Sequence, residues 1–77
     1  MPKIPPIRAE RLIKILKKKG FFLDRIRGSH HILMNKKQDT LSIPVHKGTT
    51  LGKGITVSII KDAELTTEEF LKLLKKK

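Results

Sequence analysis

The apolar residues of this chain change their spacing part-way along it, from a period of about 3.6 residues to one of about 2, and that change is what most limits the fold. Ala9, Leu12, Ile13 and Leu16 fall at i, i+3, i+4 and i+7, which predicts a helix over about Arg8–Lys19 with one buried face. Lys14, Lys17 and Lys18 take the opposite side, and Gly20 is placed to stop the helix. Ile15 lies off the apolar face and has no role in this reading. From Thr40 to Val45 the pattern is instead alternation, with Leu41, Ile43 and Val45 inward and Thr40, Ser42 and Pro44 outward. Proline cannot donate to a ladder, so this strand is expected at a sheet edge. Between helix and edge strand lie two more extended segments, Phe21–Arg27 and His30–Met34, joined through Gly28-Ser29.

A loop with three glycines, His46–Gly54, leads into a second helix over about Lys53–Ala63, expected to bury Ile55, Ile59 and Ile60. Thr66 and Glu69 then have the spacing of a capping box, with Leu65 and Phe70 as its hydrophobic staple, and open a final short helix. Residues 1–7 hold three of the four prolines and are expected as an extended arm; Lys75, Lys76 and Lys77 form a basic tail. Seventy-seven residues make one domain. The order is α-β-β-β-α with an additional C-terminal helix. Connections this short fit a three-stranded antiparallel meander, so the fold class is α+β, in the layout of a double-stranded-RNA-binding domain.

Charge narrows the function. Eighteen Lys and Arg against seven Asp and Glu leave +11 on a small body, a field that attracts nucleic acid, an acidic protein or an anionic membrane surface. With no cysteine there are no disulfides or thiolate metal sites. The N-terminus has no continuous apolar core of a signal peptide, and no apolar run approaches the roughly 20 residues that span a bilayer. A soluble cytoplasmic protein, with no membrane partner, is expected.

The residues able to do chemistry gather at Arg27-Gly28-Ser29-His30-His31. Gly28 allows a turn with positive φ, and Ser29 adds a hydroxyl. Histidine is the side chain suited to moving a proton near neutrality. Cleaving RNA needs a base for the 2′-hydroxyl or an acid for the leaving 5′-oxygen, together with positive charge on the phosphorane. His30 with Arg25, Arg27 and Lys47 offers these without a metal. His31 is expected on the opposite face, in a structural or peripheral role. His46, after the edge strand, is a second candidate for phosphate or partner contacts. Three histidines do not make a zinc site when two diverge and no cysteine or carboxylate completes the set. The stretch Gly48–Gly54 is not a P-loop, because its first spacer is one residue short and glycine follows the lysine. Lys53, opening a helix after glycine, is still suited to a backbone phosphate. Two other functions fit the same charge: an RNA-binding module without chemistry, and a domain that binds an acidic protein.

The ordered set of motifs resembles the HicA toxins. It comprises Pro2-Lys3-Ile4-Pro5-Pro6, Lys19-Gly20-Phe21, Arg25-x-Arg27-Gly28-Ser29-His30-His31 and Ile43-Pro44-Val45-His46. Gly48-Thr49, Lys53-Gly54-Ile55-Thr56 and Glu68-Glu69-Phe70-Leu71 complete it. The resemblance covers essentially the whole chain, departing at Asp24, Ile26 and Gly52-Lys53-Gly54. It implies an mRNA interferase of a toxin–antitoxin pair, and no cofactor is expected. It also implies that His30 is required for activity in a turn shaped by Gly28, and that a HicB-type antitoxin masks the active face.

Overall fold

The computed structural model describes residues 4–45 and 50–75. In chain order the elements are β1 (Ile7–Arg8), α1 (Ala9–Lys18), β2 (Phe22–Arg27), β3 (His30–Met34), β4 (Thr40–Pro44), β5 (Thr50–Leu51), α2 (Lys53–Asp62) and α3 (Thr67–Lys75). The three long strands form an antiparallel meander in the order β2-β3-β4, and Pro44 lies on an edge strand as its missing N–H requires. This is the expected α-β-β-β-α fold with an additional helix. Among the described residues no helix is long and apolar enough to cross a membrane.

Both helix ends that face a turn close in the same way. At the end of α1, Gly20 N–H donates to the Lys17 carbonyl and Phe21 N–H to that of Leu16, with Gly20 at φ 107°. These two bonds are a Schellman motif, and the buried Phe21 and Leu16 supply its apolar contact. At the end of α2, Glu64 N–H donates to Lys61 and Leu65 N–H to Ile60, but here a glutamate, not a glycine, takes the left-handed position at φ 61°. Helix α3 opens on the capping box: Thr66 Oγ1 accepts from Glu69 N–H at 3.0 Å, and Glu69 Oε1 accepts from Thr66 N–H at 3.2 Å. The staple pair Leu65 and Phe70 is buried.

The core lies between the helices and the inner face of the sheet, where Leu33, Leu41 and Ile43 meet Leu12, Leu16 and Phe70. Three features differ from the sequence-based expectation. Ile15 is buried, because a helix enclosed by the sheet, α3 and the N-terminal arm buries more than one narrow stripe. The arm is part of the core: Ile4 and Ile7 are buried, and Ile7 and Arg8 pair with Leu51 and Thr50 as a two-residue antiparallel ribbon. Ile55, expected inside, is 48% exposed. The buried positions of α2 are Thr56, Ile59 and Ile60, with Ala63 just beyond its end, so the face is turned by one residue. Thr56 tolerates this burial because its hydroxyl donates to the Gly52 carbonyl at 2.9 Å.

The helices cover the sheet unevenly. Helices α1 and α2 pack on β4, and Leu23 and Ile26 of β2 remain largely exposed although their partners Leu33 and His31 face inward. Among the described residues no helix packs on the opposite face of the sheet.

Candidate active site

The site is built by a two-residue hairpin. Gly28 and Ser29 connect β2 to β3, and the pair that closes the connection is Arg27 opposite His30. Gly28 has φ 57° and Ser29 has no positive φ, the pattern of a type II′ turn, whose first position favours glycine. The Ser29 carbonyl accepts from Val45 N–H at 2.7 Å, which ties the turn to the end of β4. The two elements that hold His30 are therefore fixed to each other by the turn, the ladder and this added bond.

Strand alternation then decides what His30 faces. The register pairs Arg27 with His30 and Arg25 with Ile32 across β2 and β3, and pairs His30 with Pro44 and Ile32 with Ser42 across β3 and β4. All of these residues lie on the helix-free face. Directly opposed residues have Cβ atoms about 4.5–5.5 Å apart, so the Arg27 and His30 side chains leave the sheet side by side. Together with Ile32 and Ser42 they line a shallow open depression of about 340 Å³. Both Arg27 and His30 are exposed, so a large polyanion can reach them without any opening of the fold.

A bulge between Leu23 and Arg25 shifts the alternation by one residue, so that Phe22, and not Leu23, shares the outer face with Arg25 and Arg27. Arg25 Nη1 sits 3.6 Å from Asp24 Oδ2, a solvent-exposed ion pair that is weak and easily exchanged for a phosphate. His31 points inward, opposite Ile26 and Ile43, and is half-buried with its Nδ1 enclosed and without a hydrogen-bond partner.

Of the residues singled out in the sequence, Arg25, Arg27, Gly28, Ser29 and His30 come together on one hairpin. Lys53 does not line the depression; it is the exposed first residue of α2. His46 and Lys47 lie outside the described residues. Ser42 and Ile32 were missed. Their signal was present in the alternation of Thr40–Val45 and His30–Met34, which sets Ser42 outward, but reading it required the register between the strands. Among the described residues no three His, Asp or Glu side chains cluster as metal ligands would. A guanidinium beside an imidazole on an open cationic surface can hold a phosphodiester and move a proton at it.

A family model described as the HicA toxin of bacterial toxin–antitoxin systems matches residues 9–65. This chain belongs to the HicA toxin family. No curated protein matches it. The matched span runs from the start of α1 to the end of the turn after α2, and so contains the complete sheet and the Arg27–His30 hairpin. The β1 arm and α3 lie outside it. As a HicA toxin the chain is the toxin component of a toxin–antitoxin system, and its partner is an antitoxin.

Proposed function

We propose that this HicA toxin is an mRNA interferase, an endoribonuclease that cleaves RNA in the cytoplasm with His30 as its proton-transfer residue and without a metal. The observation that carries the reading is the cross-strand pair of Arg27 and His30 on the helix-free sheet face. Arg27 holds a non-bridging phosphate oxygen and stabilises the charge that develops on the phosphorane. His30 takes the proton of the attacking hydroxyl or delivers one to the leaving 5′-oxygen. Gly28 and Ser29 fix the turn that sets the distance between them, and Ser42 is within the same depression to donate to the phosphate. Arg25, Lys47, Lys53 and His46 are assigned to the RNA backbone on charge and chain position.

The partner that silences this activity is a HicB-type antitoxin seated on the same face. A net charge of +11 favours an acidic inhibitor for the same reason that it favours RNA.

Incubating the purified chain with single-stranded RNA in EDTA, with and without its cognate antitoxin, tests the reading. Cleavage that persists in EDTA and stops with antitoxin is expected. Intact RNA in the presence of folded, antitoxin-free chain contradicts the nuclease assignment. Cleavage that EDTA abolishes and Mg²⁺ restores contradicts the metal-independent mechanism. Binding without cleavage leaves an RNA-binding module.

A further inference from the structure

The helix-free face extends well beyond the Arg27–His30 pair, and its composition changes along β3. At one end stand Arg27 and His30. Ile32 follows with Arg25 opposite, and then Met34 with Phe22 opposite. Phe22 is 47% exposed, one of few large apolar side chains left in solvent, and Ile32 and Met34 beside it are half-buried. Past Met34 the β3–β4 turn carries Lys36 and Lys37, which border a second shallow depression with Lys19, Gly20 and Asn35. That turn is held in shape by Asn35, whose Oδ1 accepts from Lys37 N–H at 3.0 Å and Asp39 N–H at 2.9 Å. Along β3 the face thus runs from Arg27 and His30, past Ile32 and Arg25, to an apolar patch of Met34 and Phe22, and the lysine-lined depression lies beyond its far end, bordered also by the end of α1. From His30 to Met34 the face spans four residue steps, about 13 Å at the rise of a β-strand.

We propose that this face is the binding track for single-stranded RNA, and that Phe22, supported by Met34, is a base-stacking subsite a few nucleotides from the cleaved bond. The inference rests on the nuclease reading above for the position of the cut and names its substrate class and a specificity residue. Phosphates need cations, which Arg27 and Arg25 place along the face and the lysines add beyond its end; unpaired bases need an apolar surface with an aromatic face, which Phe22 and Met34 supply. A duplex fits this face poorly, because its bases are stacked on one another and cannot reach Phe22. The double-stranded-RNA-binding layout is therefore used here with the opposite preference, for a single strand laid on the sheet. Phe22 is distant from the reacting phosphate, so it contributes binding common to ground and transition states. Its loss raises KM and leaves kcat nearly unchanged.

Two variants test this without threatening the fold, since Phe22 is outside the core. Phe22→Leu keeps apolar area and removes the ring. Phe22→Trp keeps a ring and introduces the sole tryptophan of the chain. Substrates are single-stranded oligonucleotides lengthened stepwise on either side of the cleaved bond, and a duplex of the same sequence. We expect Phe22→Leu to raise KM roughly 5- to 100-fold on the longer strands. That penalty disappears on strands too short to reach the platform. We also expect the fluorescence of Phe22→Trp to be quenched by the single strand and not by the duplex. Phe22→Leu acting as wild type at every length, with tryptophan emission unmoved by single strands, overturns the inference even if cleavage continues. If the wild-type chain cuts nothing, the nuclease reading has failed, and quenching by single strands over duplex alone decides the track.

Discussion

At the residue scale, the geometry of the site depends on a backbone conformation that one residue type permits. Gly28 adopts φ 57° with open space where a Cβ would stand, so the obstacle to a side chain is the backbone itself and not crowding. Gly28→Ala is predicted to cost about 1–2 kcal/mol of stability, read from urea unfolding. Any relaxation of the turn moves Arg27 relative to His30, and the predicted fall in cleavage rate is on the order of 10- to 100-fold. Unchanged stability and rate would show that the turn adapts. Gly28, Ser29 and His30 were legible because a Gly-Ser step between extended segments announces a hairpin. That Arg27 stands against His30 follows from the two-residue turn, which fixes the register of its hairpin; that Phe22 shares their face was not decidable, because the bulge between Leu23 and Arg25 shifts the alternation. His31 was legible as lying on the face opposite His30, and its enclosed, unpartnered Nδ1 was not.

At the element scale, helix ends carry most of the local information. The capping box of α3 was readable because Thr66 and Glu69 are fixed in spacing and their bonds are local. The acceptance of the Thr66 backbone N–H, followed by the charge of Lys19 at 3.4 Å, holds the Glu69 carboxyl below its ordinary value of 4.5. A carboxyl lowered by folding stabilises the protein above its unfolded value. It loses that contribution as pH falls through the lower folded value. Thermal melts of wild type and Glu69→Gln should therefore differ near neutrality and converge as pH drops below about 4.5. A difference that is constant with pH would remove the charge from the explanation. The end of α2 offers the opposite case. Glu64 occupies a left-handed position at φ 61° where glycine is favoured, and nothing in its identity signals that. Glu64→Gly is predicted to stabilise by about 0.5–1 kcal/mol, the relieved backbone penalty less the greater freedom of the unfolded chain, measured by chemical denaturation. The misplaced face of α2 has a similar origin. Ile55 and Thr56 differ in apolarity in the direction that favours burying Ile55, but the helix angle is set by Ile59 and Ile60 against the sheet.

At the scale of the whole molecule, a domain of this size has only a few kcal/mol to hold one sheet against three helices. The β1–β5 ribbon and the buried Ile4 and Ile7 recruit the N-terminal arm to that task. A prolyl arm has no hydrophobic period, so its packing could not be read from pattern; only contact with the loop before α2 reveals it. In the proposed function the sheet face that no described helix covers is the surface open to a polyanion, and the net charge of +11 would make binding there electrostatic. Affinity for a single strand is predicted to fall roughly 20- to 50-fold between 50 and 200 mM salt if about three to four phosphates are neutralised. Salt-insensitive binding, followed by fluorescence anisotropy, would point to contacts that the cationic face does not provide. The central claim is that His30 on that face moves the proton of RNA cleavage. The most direct test is single-turnover cleavage of one single-stranded RNA by wild type and His30→Ala, with folding and RNA affinity of both verified. We predict equal binding and a rate lower by roughly 10²–10⁴ in the variant; equal rates would rule out that role for His30.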